Sequence, residues 1–220
     1  MDSATRSLKK YESEPLVVKS TQGSCDAMSL MSPFGPFIAQ TRMPLSLVDE
    51  INRFVEAELQ QAQVRGAEFI LPQQLVEAGG ENSLAYHLAN NIIAYVEACE
   101  NTRVRSVKIE TIWVVNQPQG SPSPVHFHSA DVSGVFYLQV PKIDEREEQR
   151  NYISGRKAGY LNVLSGGKQP LNKSLISFKP VVGDLYIFPG WLLHGVEPFA
   201  GDGERRSLAF NANIEVDLAE

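Results

Sequence analysis

Hydrophobic positions recur with two different periods along this chain, and the change between them divides it. From Ser46 onward, Leu47, Ile51, Phe54, Val55 and Leu59 fall on one face at helical spacing. Ser46, with Asp49 and Glu50 close behind, reads as the helix start, because a hydroxyl and early carboxylates suit the unpaired amides there. That helix is expected to end near Arg65–Gly66. After the Gly79–Gly80 break, a second helix is expected from about Ser83 to Glu100, with Leu84, Leu88, Ile92, Tyr95, Val96 and Cys99 along one face.

From Val104 the period shortens to that of a strand. Val107, Ile109, Trp113 and Val115 alternate with polar Lys108 and Glu110, the pattern of a half-buried strand. Further strands are expected at Val125–His128, Ser133–Val140, Gly159–Leu164, Ser174–Phe178, Asp184–Phe188 and Arg206–Glu215. Ahead of the helices, residues 1–35 are polar and punctuated by Pro and Gly; they read as an arm with one short strand at Leu16–Lys19. Pro36–Met43 reads as the first strand of the body. The expected organisation is therefore an arm (1–35) and one domain (36–220), in which 36–103 form helical support and 104–215 a β core. Many short strands behind a helical preface predict a mainly β fold with packed helices, an α+β barrel or sandwich. The charged stretch 142–173, with Lys142, Arg146, Arg150, Arg156, Lys157 and Lys168 among several acids, is either a lid over a substrate or a solvated face.

Composition narrows the class. With 220 residues, 43% of them apolar and 21% charged, the chain can bury an ordinary globular core. A net charge of −6 argues against a non-specific nucleic-acid partner, while leaving room for a local basic pocket. Cys25 and Cys99 are far apart and lack CxxC spacing, so neither a disulfide framework nor a zinc knuckle is expected. The first fifteen residues contain no apolar stretch of signal-peptide length, and no run approaches the roughly 18 apolar residues of a membrane span. A soluble cytoplasmic protein with no membrane partner is expected. Oligomeric state is not legible.

Three of the four histidines carry candidate chemistry. His87 sits mid-helix and reads as structural. His126 and His128 flank Phe127, and residues two apart on a strand project from the same face, so both imidazoles can reach one point. His194 follows 66 residues after His128, set between Leu192–Leu193 and Gly195–Val196. In a barrel, distant antiparallel strands can bring such positions together. A few imidazole or carboxylate ligands that leave open positions are the arrangement of non-haem iron(II) sites.

Eleven residues after His194 comes Arg205-Arg-Ser207-Leu-Ala-Phe-Asn211. On a strand, Arg205, Ser207, Ala209 and Asn211 share one face. An inward arginine among small polar residues leaves space and an uncompensated cation. A dicarboxylate would fill both, held by the Arg205 guanidinium with help from the Ser207 hydroxyl.

The runs Trp113-Val-Val-Asn116, His126-Phe-His128, Ser133-Gly-Val-Phe-Tyr137, Gly183 through Pro198, and Gly203 through Asn211 resemble the 2-oxoglutarate–Fe(II) oxygenases of bacteria, phages and marine microbes. The resemblance covers about residues 104–215. It implies a double-stranded β-helix (jelly-roll) core, with Fe(II), 2-oxoglutarate and O2 as cofactor and co-substrates. It also implies oxidation of 2-oxoglutarate to succinate and carbon dioxide, coupled to hydroxylation of a C–H bond. By the same likeness His126, His128 and His194 are metal ligands, Arg205 and Ser207 grip the distal carboxylate, Tyr137 stands on that carboxylate, and Asn116 and Asn211 line the pocket. The wider superfamily has HxD or HxE where this chain has HxH, so Asp131 stays open as an alternative to His128. Two other readings remain: a cupin-like metalloenzyme that needs no keto acid, and a metal-free jelly-roll binding module. The prime substrate is not named by any motif.

Overall fold

The fold is seen in a computed structural model, which describes residues 16–19, 28–32, 35–148, 157–167 and 173–217. Two strands come first, β1 (Leu16–Lys19) and β2 (Ser29–Met31), followed by β3 (Ile38–Arg42). The helical section holds α1 (Leu45–Ala62), β4 (Ala67–Ile70), α2 (Gln73–Glu77), a 3-10 turn at Gly80–Asn82 and α3 (Leu84–Glu100). The β section begins with β5 (Val104–Pro118), β6 (Ser123–His126), β7 (Val132–Gln139) and β8 (Lys142–Ile143), and then the short helix α4 (Glu145–Glu148). It continues through β9 (Leu161–Leu164), β10 (Leu175–Phe178), β11 (Asp184–Pro189), β12 (Leu193–Val196), β13 (Gly201–Asp202) and β14 (Glu204–Val216).

Two antiparallel sheets face each other. The larger runs β1-β5-β14-β7-β11-β3-β2, with β4 also paired to β5, and the smaller runs β10-β9-β12-β6. This is the expected mainly β fold with packed helices, in the form of a double-stranded β-helix. One apolar cluster lies between the helices and the outer side of the large sheet, uniting Leu47, Ile51, Leu88, Ile92, Val107, Val114, Phe136 and Phe210. A second fills the space between the sheets with Ile38, Val135, Tyr137, Leu161, Val163, Tyr186, Phe188 and Leu192. Strand alternation sends successive residues of β7 and β11 to these two clusters in turn, while Leu208, Phe210 and Ala212 of β14 join the first. Gly134 is needed on β7 because the Phe210 ring of β14 lies where its side chain would be.

Several boundaries differ from expectation. The first helix starts at Leu45 behind Pro44, and no side chain caps it; Ser46 lies inside its first turn. It stops at Ala62, where Gln63 turns left-handed (φ 54°), short of Arg65–Gly66. The second helix matches, with Ser83 Oγ accepting from the Tyr86 amide (3.1 Å). Strands β2 and β4 and the short α2 were not legible as periodic patterns.

The most informative correction concerns β5. Val107 and Ile109 do pack under the helices, but Ile112 and Val114 join them there, and Trp113 and Val115 lie on the opposite, barrel side. The ladder explains this. Asn211 pairs with Thr111 but Ala212 pairs with Ile109, so Glu110 is an extra residue that reverses the alternation.

Of the charged 142–173 stretch, Arg150, Arg156 and Lys168 lie outside the described residues, as do Cys25 and most of the 1–35 arm. No helix among the described residues is long and apolar enough to cross a membrane.

Candidate metal centre

His126 ends β6 and His194 lies near the start of β12; the two are direct partners in the ladder between those strands. Their ring centroids are 4.5 Å apart. His128 lies beyond the end of β6, in the loop to β7, and not on a strand as its parity predicted. It still converges: its ring is 5.0 Å from His126 and 5.3 Å from His194. One ligand atom from each of the three falls within 4.8 Å of the others. That spacing fits three nitrogens around a single ion.

The loop carrying His128 is pinned by the turn after β11. The His128 amide donates to the Gly190 carbonyl (2.8 Å), and the Gly190 amide donates to the Asp131 carbonyl (3.0 Å). A side chain at Gly190 would collide with the Ala130 carbonyl.

Two of the rings are oriented in the same way. Nδ1 of His126 lies 2.7 Å from the Pro124 carbonyl and Nδ1 of His194 lies 2.8 Å from the Leu192 carbonyl. A carbonyl can only accept, so Nδ1 carries the proton and Nε2 keeps its lone pair for a metal. Burial pushes the His194 pKa down to about 4, only partly opposed by the Leu192 carbonyl, with the other two histidines adding a smaller push. Burial, then His126, also lowers the pKa of His128. Burial thus favours the neutral form of His194 and His128, the form that binds metal. Phe188 packs against His194 (4.8 Å) and Trp113 stands edge-on to His128 (5.8 Å).

Asp131 is placed elsewhere. Its Oδ2 accepts the Ile214 amide (3.0 Å), and it is not among the residues that converge with the histidines. His87 is on α3, apart from the three.

Along the barrel side of β14, Arg205 and Ser207 are both buried, and Ser207 faces Tyr137 across the ladder. Arg205 donates to the Gln117 side-chain oxygen, while Gln117 Nε2 donates to the Pro122 carbonyl (2.9 Å). No described carboxylate pairs with this guanidinium, and burial pushes its pKa down. The Tyr137 hydroxyl and Arg205 Nε are both buried without a hydrogen-bond partner. They are nevertheless close enough for the guanidinium to oppose the rise that burial imposes on the phenol. A buried cation beside two orphaned donors is costly unless an anion completes it. The distal carboxylate of a keto diacid fits that requirement.

Asn116 is a correction. It faces the helices with Arg206, whose Nε donates to Asn116 Oδ1 (2.8 Å). Arg206 also reaches Asn52 Oδ1 (2.9 Å) and Glu56 Oε1 (2.8 Å) on α1, so this arginine is satisfied where Arg205 is not. Asn116 Nδ2 donates to Glu204 and to the Arg65 carbonyl (both 2.7 Å). Asn211 does line the barrel side, but beside His128 and away from the anion-binding end. Gln117 and Trp113 were missed as site residues; once Glu110 is known to be extra, both share the face that holds the anion-site residues.

A family model described as "Putative 2OG-Fe(II) oxygenase" matches residues 111–211, which contain all three histidines, Tyr137 and Arg205. Over those residues, somewhat under half of the chain, the β core is similar to that family. The chain is similar in fold to HygX from Streptomyces hygroscopicus, crystallised with nickel and 2-oxoglutarate (TM-score 0.54, 13% identity, covering 80% of this chain and 82% of that one). It is also similar to a prolyl hydroxylase from Trichoplax adhaerens in complex with a hypoxia inducible factor peptide (TM-score 0.52, 15% identity, 80% and 83% covered). A prolyl-4-hydroxylase from Pseudomonas putida aligns at 18% identity with a TM-score of 0.50, covering 80% and 87%. These identities speak for the fold alone. No curated protein sequence matches this chain.

Proposed function

We propose that this oxygenase holds one iron(II) through Nε2 of His126 and His194 and the ring of His128. Arg205, Tyr137 and Ser207 receive the distal carboxylate of 2-oxoglutarate, and O2 is used to hydroxylate a C–H bond of a substrate still to be identified. The bound metal and keto acid supply oxygen activation, with 2-oxoglutarate leaving as succinate and carbon dioxide.

The observation that carries this reading is the pairing of two features in one barrel: three converging imidazoles, and a buried guanidinium with no carboxylate partner among the described residues. The first calls for a cation. The second calls for a small anion and separates the reading from a metalloenzyme that needs no keto acid. Arg205 has a fixed planar fork suited to a carboxylate, and Tyr137 offers an unpaired hydroxyl beside it. The binding of 2-oxoglutarate by a fold relative adds support.

Three histidine ligands would add no negative charge to a bound iron(II), so the site would favour an anionic co-substrate. Iron(II) is retained under reducing conditions, which supports a cytoplasmic location. Its acidic balance argues against nucleic acid as the substrate.

The test is succinate release by protein reconstituted with Fe(II) without oxygen. Wild type is expected to turn over 2-oxoglutarate only with Fe(II) and O2, and His194→Ala to lose this entirely. Full turnover by His194→Ala would falsify the assignment.

A further inference from the structure

His126 and His194 each set their Nδ1 on the carbonyl two residues earlier in the chain, at Pro124 and Leu192. His128 breaks this pattern. It lies past the end of β6, and its Nδ1 lies 3.3 Å from the side-chain amide of Asn211, contributed by β14. Asn211 is itself held by Ser133 of β7, whose hydroxyl contacts Oδ1 at 2.6 Å, and Ser133 is buried. The third ring is therefore oriented by side chains of two neighbouring strands, not by its own backbone.

We propose that Asn211, fixed by Ser133, is the positioning residue of His128 and makes Nε2 its metal-facing atom. This inference rests on the metal site proposed above.

The chemistry decides which end of the amide must face the ring. A ring that gives Nε2 to a metal carries its proton on Nδ1, so Nδ1 needs an acceptor. With the amide nitrogen toward the ring, Nδ1 would have to accept, and the proton would sit on Nε2, where it blocks coordination. The oxygen and nitrogen of an amide are set by the hydrogen-bond network. Rotating this amide by half a turn puts Oδ1 on the His128 Nδ1–H and lets Nδ2 donate to Ser133 Oγ, which can accept as readily as it donates. Both partners stay satisfied. A carbonyl-like acceptor then faces all three rings, and the loop histidine matches the two strand histidines. In a site with no carboxylate ligand, this third anchor decides whether the HxH pair closes on the ion.

The test uses Co(II) binding to the full chain, with Asn211→Leu and Asn211→Asp variants. Aspartate can only accept from Nδ1–H; leucine can do neither. Outer-shell partners of metal-bound histidines typically change affinity by about 10–100-fold. Asn211→Leu is expected to weaken Co(II) by at least about 10-fold. In the proton NMR spectrum of the Co(II) protein, it should also lose one of three exchangeable, strongly shifted ring N–H signals. Asn211→Asp is expected to keep all three signals and bind within a few-fold of wild type. Should the leucine variant fail to fold, the isosteric aspartate variant carries the test. Affinity unchanged in Asn211→Leu, or the same signal lost in Asn211→Asp, overturns the positioning role. A wild-type chain that takes up no Co(II) overturns the metal site itself.

Discussion

His194 faces His126 directly across the β6–β12 ladder, and beside it Gly195 lets the two strands close, since a side chain there would meet the Ser123 carbonyl and Val125. The two rings are thus set by backbone pairing, and only His128 depends on a loop. Substitutions that disturb the loop should accordingly cost metal binding before they cost the fold.

Gly190→Ala tests this. Its new methyl would displace the Ala130 carbonyl and with it the segment between His128 and Asp131. Metal affinity is expected to fall by an order of magnitude or more, as for loss of an outer-shell partner. Stability should fall by about 1–3 kcal/mol, the usual range for overpacking. Isothermal titration with Co(II) and thermal melts read the two effects separately; an unchanged affinity would show that His128 does not depend on this turn.

Arg205 and Arg206 are neighbours in sequence and opposites in energetics. Arg206 is 1% exposed and shared among Asn116, Asn52 and Glu56, so Arg206→Ala should destabilise the fold by about 2 kcal/mol, because the side-chain oxygens of Asn116 and Asn52 lose their donor. Arg205→Ala removes a buried cation with no carboxylate partner among the described residues and should leave the melting temperature nearly unchanged. It should instead weaken 2-oxoglutarate by roughly 10–100-fold, the worth of charge-assisted hydrogen bonds. Denaturant melts and co-substrate titration on both variants check the contrast; reversed effects would exchange the roles assigned to the two residues.

The depressed pKa of His194 has a defined sign. A histidine of ordinary pKa, about 6.5, takes up its proton in the unfolded chain before the buried ring does at about 4. Above the ordinary value neither state is protonated and the group contributes nothing. Between 6.5 and about 4 the unfolded chain binds the extra proton, so metal-free protein loses stability as pH falls. The loss should reach roughly 2 kcal/mol at pH 5. His194→Gln should flatten the dependence in that window, which urea melts from pH 7 to 5 will show.

The convergence of three histidines was more legible than the elements that carry them. The HxH pair, His194 and Arg205 could be singled out because ligand and anion chemistry restricts residue type sharply. Asn116 was misread because its asparagine looks the same whether it faces a co-substrate or, as here, a buried arginine beneath α1. The strand parity invoked for His128 failed at the end of β6, yet the residue arrives through the Gly190 contact, a long-range hydrogen bond that no local pattern displays. Gln117 and Trp113 were hidden by the extra residue in β5, because a period-2 reading cannot see one inserted position until its partner strand is known.

That inserted residue, Glu110, gives a single long strand two allegiances. On one side of it the odd-numbered positions serve the helical layer; on the other they face the barrel side, where Trp113 meets His128. Deleting Glu110 would force one half of the strand to turn inside out, sending Trp113 into the helices or Ile109 toward solvent. Substituting it should be nearly silent. The length of the chain at this point, more than the identity of the residue, is what ties the supporting layer to the chemistry.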